Sequence, residues 1–279
     1  MKRLAVLGQP ISHSRSPAMQ SAALEALGLG AEWSYEAIEM PPADFAELTR
    51  ALPTEGFVGA NVTIPHKEAA LEIAEDASPA ATEIGAANTL SFLDDRVRAD
   101  NTDAPGLIAA LPGPPSGKRA LVLGAGGSAR AAVWALTRQG ARVEVWNRTA
   151  ERADEIVRDL ARSGEGTEAE GRLAPVSADQ VRAAAYDLVV NCTAVGLPDA
   201  AEDPFDQLPL GPEQLGPETT LVDLVYGGAE TRLVGEARSR GALTVDGLEV
   251  LVRQGAESLR IWTGLEPPLD VMRDAARSG

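Results

Sequence analysis

Residues 119–146 constrain the fold more than any other stretch of the chain. The apolar run Arg119–Leu123 stops at Gly124-Ala125-Gly126-Gly127-Ser128-Ala129, a helical pattern continues to about Arg138, and a second apolar run covers Arg142–Trp146. A strand, a G-x-G-x-x-A turn, a helix and a second strand in that order form a βαβ unit of the dinucleotide-binding kind. Gly124 permits the tight turn, and Gly126 lets backbone approach a pyrophosphate at the positive end of the helix. Gly127 extends the amide-lined surface, and Ala129 holds the sixth position, within the tolerated pattern. Glycine turns also follow strands in proteins that bind no dinucleotide, so the turn gains its weight from flanking elements that fall where the motif requires them.

The second strand runs into Trp146-Asn147-Arg148-Thr149. An NAD site usually carries Asp or Glu here, accepting from the ribose 2′-hydroxyl. Asn147 is uncharged, and the Arg148 guanidinium can grip a phosphate through two parallel hydrogen bonds. Thr149 adds a hydroxyl and can also cap the next helix. The pattern favours NADP(H); a merely solvated Arg148 is the bland alternative.

Elsewhere, short apolar runs alternate with helical patterns. Strands are expected at 2–7, 33–38, 56–62, Leu188–Asn191, Thr220–Asp223 and Leu243–Val245, and helices from Ser16-Pro17 to about Leu27, over 42–52 and 66–75, from near Thr149, and from Asp246. This alternation specifies an α/β architecture. Three prolines and two glycines at 111–118 look like a domain junction. Two stretches read as irregular: the glycine- and acid-rich 163–171, and 198–218, which holds five prolines, six acids and no Lys or Arg.

Composition closes off several function classes. Lys+Arg 25 against Asp+Glu 41 gives a net charge of −16, which repels a phosphate backbone, and no basic cluster with interleaved aromatics offsets it. Nucleic acid is therefore not an expected partner, although a local site can still take a small anion. One cysteine, Cys192, allows no intramolecular disulfide, and two histidines without carboxylates at ligand spacing suggest no metal site. Cys192 reads as a core or pocket-wall residue rather than a nucleophile. The first apolar run is far too short for a signal-peptide core or a membrane span, so a cytoplasmic location is expected.

The polar clusters outside the βαβ unit fall at strand ends, where α/β ligand sites form. Ser14 and Ser16 sit in the first strand-to-helix junction, where hydroxyls and free amides can bind a carboxylate; Ser16 also reads as a helix cap, which leaves Ser14 unexplained. Thr63 and Lys67 lie in NVTIPHK. Lysine occurs only at positions 2, 67 and 118, and a primary ammonium can pass a proton where a guanidinium cannot. Asn88 offers a donor and an acceptor, and Asp103 could orient Lys67 or a ligand hydroxyl, or simply cap the following helix. Gly247 and Gln254 lie two turns apart on one helical face: a glycine there lets backbone approach a flat ring, and Gln254 could bind a hydroxyl.

The stretches GQPISHSRSP, GANVTIPHK, GAANT, DNTDAPG, LGAGGSARA, WNRT, NCTAVGL, DLVY and DGLEVLVRQGAESLRIWTG occur in that order over essentially the whole chain. In this they resemble the shikimate dehydrogenase family, NADP-dependent oxidoreductases that convert 3-dehydroshikimate to shikimate on the route to chorismate and aromatic amino acids. The resemblance implies two α/β domains flanking a cleft: a substrate domain over 1–103, a Rossmann-type NADP domain over 104–245, and helices over 246–279 that return to the first. It makes Lys67 and Asp103 the catalytic pair. Ser14, Ser16, Thr63, Asn88, Tyr226 and Gln254 become substrate contacts. Gly124, Gly126, Gly127, Ser128, Ala129, Asn147, Arg148, Thr149, Thr193 and Gly247 become cofactor contacts. The implied partner is a small anionic cyclic hydroxy acid, with a homodimer left open; a broader quinate/shikimate dehydrogenase and a non-catalytic binding protein on the same fold are the competing readings. The chain departs from the family after Ser16-Pro17, where S-P-x-x-H-N is common and this chain continues Ala18-Met19-Gln20, and at Tyr226-Gly227-Gly228, where Y-x-P is common; the acidic stretch after Leu160 also looks long.

Overall fold

The computed structural model describes residues 1–94, 96–163, 171–197, 203–227 and 230–278. The chain divides into two compact units, Met1–Gly106 with Leu251–Gly279, and Leu107–Val250. The proline-rich stretch 111–118 lies inside the second unit rather than at the division. The reason is packing: Leu107 is 3% exposed in the second unit's core, and Ile108, Ala110 and Leu111 pack on that core.

The first unit runs β1 (Lys2–Gly8), α1 (Ser16–Ala26), β2 (Trp33–Glu39), α2 (Phe45–Ala51), a 3-10 turn (Leu52–Glu55), β3 (Phe57–Val62), α3 (Lys67–Glu72), β4 (Asp76–Ala77), α4 (Pro79–Ile84), β5 (Thr89–Leu93) and β6 (Arg96–Asp100). Helix α5 (Asp103–Ala110) then spans the division. The sheet order is β2-β1-β3-β5-β6-β4. It is mixed: β1 is parallel to β2 and β3, and β5 is antiparallel to both β3 and β6. Register brings the polar stretches to one edge, since Leu7 pairs with Val62, Asn61 with Thr89, and Thr89 with Asp100. Leu7, Met40, Phe45, Phe57, Val62 and Leu90 form the core beneath that edge, each large side chain contributing about 1.5–3 kcal/mol when removed from water.

One cap differs from expectation. Ser16 is already inside α1 with Pro17 behind it, Arg15 holds the cap position, and no side chain caps the helix. Instead the Ser16 backbone N–H donates to Ser14 Oγ at 3.3 Å, so Ser14 shapes the turn that Ser16 was expected to shape.

The second unit contains β7 (Arg119–Leu123), α6 (Gly127–Arg138), β8 (Arg142–Trp146), α7 (Ala150–Ser163), β9 (Leu173–Pro175), α8 (Ala178–Arg182), β10 (Leu188–Asn191), α9 (Pro204–Gln207), β11 (Thr220–Asp223), α10 (Arg232–Ser239) and β12 (Leu243–Val245). Helix α11 (Gly247–Thr263) crosses the division and α12 (Leu269–Ser278) follows, lying against α1 in the first unit. All strand pairs here are parallel, in the order β12-β11-β10-β7-β8-β9. The order reverses beside β7, which is the doubly wound pattern whose ligands gather at the strand C-termini next to the switch. Val122, Val145 and Val190 bury one face, and Leu121, Leu123 and Val189 the other, as a sheet covered by helices on both sides requires.

Strand β9 and helices α8 and α10 were not foreseen from the sequence. Residues 164–170, 198–202, 228 and 229 lie outside the described residues, and with them most of the acidic stretch, the start of 198–218 and Gly228. Within the remainder of 198–218 stand α9 and a 3-10 turn at Pro212–Gln214.

Candidate active site

The first unit concentrates its polar side chains at the shared strand edge. Lys67 opens α3, and its Nζ lies 2.6 Å from Asp103 Oδ2, with the two side chains 11% and 15% exposed. Asp103 is free for this contact because it does not cap α5: Asn101 Oδ1 accepts from the Ala104 N–H at 3.2 Å, while Asn101 Nδ2 donates to the Ala86 carbonyl. The other Asp103 oxygen accepts from Asn88 Nδ2 at 3.0 Å. That same nitrogen lies 2.9 Å from Thr102 Oγ1 and 3.0 Å from Gln254 Oε1, so two amide hydrogens face three acceptors. Asn88 Oδ1 in turn accepts from the Thr102 N–H at 2.6 Å. Both ends of the Asn88 amide are thus fixed, and with them the carboxylate that holds Lys67.

Behind this pair lies a second layer that the sequence did not single out. Thr89, Thr102 and Ser258 form a triangle of buried hydroxyls at 2.8–3.1 Å. Asn61 Nδ2 donates to Ser258 Oγ at 2.8 Å, and the Tyr35 hydroxyl donates to Asn61 Oδ1 at 2.8 Å. Asn61 and Thr102 stand within stretches that drew attention, but Ser258 and Tyr35 carry no local signal. Ser258 lies 197 positions from Asn61, and only the return of α11 to the first unit brings them together.

Thr63 is half-buried just past β3, held by its N–H to the Leu7 carbonyl at 2.9 Å, which puts it at the end of β1 where the Ser14 turn begins. Ser14 is half-buried and Ser16 buried. The structure therefore gathers Ser14, Ser16, Thr63, Lys67, Asn88, Asp103 and Gln254 within one unit. His66 serves packing: its ring stacks on Phe45 at 4.4 Å and Nε2 lies 2.6 Å from the Met40 carbonyl. Among the described residues no group of three or more His, Cys, Asp or Glu side chains could hold a metal, and no helix is long and apolar enough to cross a membrane.

The remaining expected residues belong to the second unit. Gly124 has φ +111°, and a Cβ there would stand 3.1 Å from the Cys192 carbonyl, so the turn admits only glycine. Gly126 holds the cap position of α6 without a side-chain cap, and a Cβ on it would meet nothing within 4 Å. An uncapped helix start beside open space fits a pyrophosphate. Register places Trp146 opposite Leu123, so Asn147, Arg148 and Thr149 follow the strand next to the glycine turn. Asn147 Nδ2 donates to the Thr149 carbonyl at 2.9 Å, and Arg148 is exposed, which fits a 2′-phosphate beyond the end of β8. Thr193 hangs on Asn191, whose Oδ1 accepts both its N–H and its hydroxyl. Tyr226 is half-buried after β11, and Gly247 is buried at the start of α11.

A doubly wound parallel sheet with a glycine turn at its switch point, together with a separate α/β unit carrying a Lys–Asp pair, defines the class of dinucleotide-linked dehydrogenases. Three family models match successive parts of the chain: the shikimate dehydrogenase substrate binding domain over residues 6–90, shikimate / quinate 5-dehydrogenase over 110–225, and the shikimate 5′-dehydrogenase C-terminal domain over 247–277. A shikimate dehydrogenase (NADP(+)) from Thermus thermophilus is 44% identical over 99% of this chain and 98% of its own, and one from Symbiobacterium thermophilum is 40% identical over 98% and 92%. A crystal structure of shikimate 5-dehydrogenase from Thermus thermophilus with NADP(H) and shikimate superposes with a TM-score of 0.86 at 41% identity, covering 100% of this chain and 99% of that one. The chain belongs to the shikimate dehydrogenase family.

Proposed function

We propose that this chain reduces 3-dehydroshikimate to shikimate with NADPH, reversibly, as a step toward chorismate and the aromatic amino acids. Family membership over almost the full length supports the reaction. The observation that carries the mechanism is the Lys67–Asp103 pair, 2.6 Å apart and joined through Asn88 to the Gln254 side chain.

Ser14 and Ser16 hold the substrate carboxylate, and Thr63, Asn88 and Gln254 hold its ring hydroxyls. Tyr226 completes the substrate contacts from the second unit's sequence. Bound NADPH supplies the hydride to the ketone carbon. As the C=O bond becomes C–O, Lys67 Nζ stabilises the charge on oxygen and donates the proton that completes the hydroxyl. Asp103 keeps the ammonium in place and accepts from the neighbouring hydroxyl. Gly124, Gly126, Gly127, Ser128 and Ala129 present backbone to the pyrophosphate, while Asn147, Arg148 and Thr149 take the 2′-phosphate. Thr193 and Gly247 lie toward the nicotinamide end.

Steady-state oxidation of shikimate and of quinate, each with NADP and with NAD, tests the reading directly. Shikimate with NADP should be the preferred combination; quinate as the better substrate would move the chain to the broader dehydrogenase, and no turnover with either acid would refute the proposal. A cytoplasmic location goes with this reading, and sedimentation of the purified chain decides between monomer and homodimer.

A further inference from the structure

Asp223, the last residue of β11, is completely buried. Its Oδ1 accepts from Asn191 Nδ2 at 2.9 Å and from the Val225 N–H at 3.2 Å, and its Oδ2 accepts from the Thr231 hydroxyl at 2.6 Å. No arginine or lysine is among these partners. Burial pushes the carboxyl upward and the three donors pull it back. A carboxylate is costly to bury without a cation, and the mechanism above makes no use of it.

We infer that Asp223 is a positioning residue that holds Thr193 and Gly247 in place for the nicotinamide end of the cofactor and Tyr226 in place for the substrate. The inference rests on the assignment of those three residues made above. Thr193 is fastened to the carboxylate through Asn191, and Gly247 and Tyr226 through the segment that follows β11.

The route to Thr193 is the Asn191 amide. Its Nδ2 donates to Asp223 and to the Val195 carbonyl, which leaves Oδ1 to accept the Thr193 N–H at 3.1 Å and its hydroxyl at 2.7 Å. An acceptor-only group at 223 fixes which way that amide points. The route to Gly247 is the Leu224–Val225 peptide. Leu224 N–H donates to the Asn191 carbonyl and Val225 N–H to Asp223. Gly247 sits so close to this peptide that a Cβ would stand 2.7 Å from the Leu224 oxygen and 2.9 Å from the Val225 oxygen. The route to Tyr226 is its two flanks: Val225 precedes it, and Thr231, which caps α10 by accepting the Val234 N–H at 3.2 Å, donates to Asp223 Oδ2. An asparagine at 223 would turn an NH2 group toward at least one of three donors and would also allow Asn191 to reverse.

The test uses the full chain. NADP and 2′,5′-ADP binding are measured by titration calorimetry, shikimate oxidation by steady-state kinetics, and folding by circular dichroism. Asp223→Asn should lower kcat with NADP by about tenfold or more, the scale of losing a charged hydrogen bond, while 2′,5′-ADP, which lacks the nicotinamide half, binds within about twofold of the native chain. Thr231→Val should give the same signature at smaller amplitude, and Thr231→Ser should restore it. A folded Asp223→Asn chain with native kcat overturns the inference, as does one that loses NADP and 2′,5′-ADP affinity equally, because that is general loosening of the unit. If Asp223→Asn does not fold, Thr231→Val decides: reduced kcat with unchanged 2′,5′-ADP binding supports the inference, and native kcat overturns it. Thr193→Ala and Gly247→Ala separate the two levels. If neither alters kinetics with NADP, the cofactor assignment itself has failed; if both do while Asp223→Asn does not, only the role of Asp223 has failed.

Discussion

Each unit contains an ion pair with a nearly buried cation, and the two look alike by distance. Lys67–Asp103 in the first and Arg130–Asp159 in the second both measure 2.6 Å, and in both the cation's side chain is 11% exposed. Their surroundings set them apart. Asp103 lies at a sheet edge among Asn88, Thr102 and Gln254, with a cation that can release its proton. Asp159 lies on the outer layer between α6 and α7, shares itself with Arg162 at 2.9 Å, and pairs with a guanidinium that stays charged. The second pair braces helices. Geometry alone does not distinguish a reacting pair from a structural one; the identity of the cation and the polarity behind the carboxylate do.

The comparison breaks most visibly at Lys67. Lys67→Ala should lower kcat by roughly 10²–10⁴, the range for losing a positioned acid–base group, and Lys67→Arg should recover little of it. Asp103→Asn should also depress kcat, and the double variant should lose less than the product of the single losses. A Lys67→Ala enzyme keeping more than about a tenth of kcat, with chemistry limiting turnover, would place this pair beside its counterpart as a brace.

A smaller effect is expected at Ser14. Ser14→Ala should weaken shikimate binding by about 1–3 kcal/mol if a buried hydrogen bond to a charged group is lost, with NADP affinity unchanged. Calorimetric titration of both ligands reads this directly, and undiminished shikimate affinity would place the carboxylate elsewhere. In the second unit, Arg148→Ala should raise KM for NADP by about tenfold, roughly 1.4 kcal/mol, and leave that for NAD nearly unchanged. Equal loss with both cofactors would remove Arg148 from the 2′-phosphate.

The smallest effect belongs to the bracing pair. The Arg130 hydrogen bond is the main cause holding the Asp159 carboxyl below the usual carboxylate range. A carboxyl lowered on folding adds stability that is complete above its unfolded value and is lost as pH falls through the folded one. Thermal melts of native and Asp159→Asn chains should therefore differ by less than about 1 kcal/mol near neutrality and converge on acidification. A difference that grows toward low pH would contradict the assignment.

The sequence carried the second unit's sheet in unusual detail. Strands β7, β8, β10, β11 and β12 occur at the expected residues: β7, β10 and β11 are buried almost throughout and read as apolar runs between polar or glycine stops, while β8 shows the alternation of a half-buried strand. Strand β9 is three residues long, ends in proline and is mostly exposed, so it offers neither length nor pattern. Helix α8 is five residues long and signalled only by its Ser177–Gln180 capping box, while α10 is eight residues long and starts at a Thr231 cap. In the first unit Lys67, Asn88 and Asp103 stood out as polar residues at strand ends. The layer behind them could not, because Tyr35, Asn61 and Ser258 meet only through tertiary packing. The misplaced cap at Ser16 has a local cause: Ser14 and Ser16 present the same side chain two residues apart, and composition does not say which one the turn uses.

The division of the chain also orders its assembly in time. Leu107–Val250 is one uninterrupted segment, and every partner in its sheet is present once that segment has left the ribosome. The first unit is different. Asn61 Nδ2 waits for Ser258, and the Leu90 carbonyl waits for the Trp262 indole N–H, which donates to it at 3.0 Å. At synthesis rates of about 5–20 residues per second, the interval between residue 90 and residue 262 is on the order of ten to thirty seconds. Through that interval the part of the molecule made first stays incomplete, while the part made second can close.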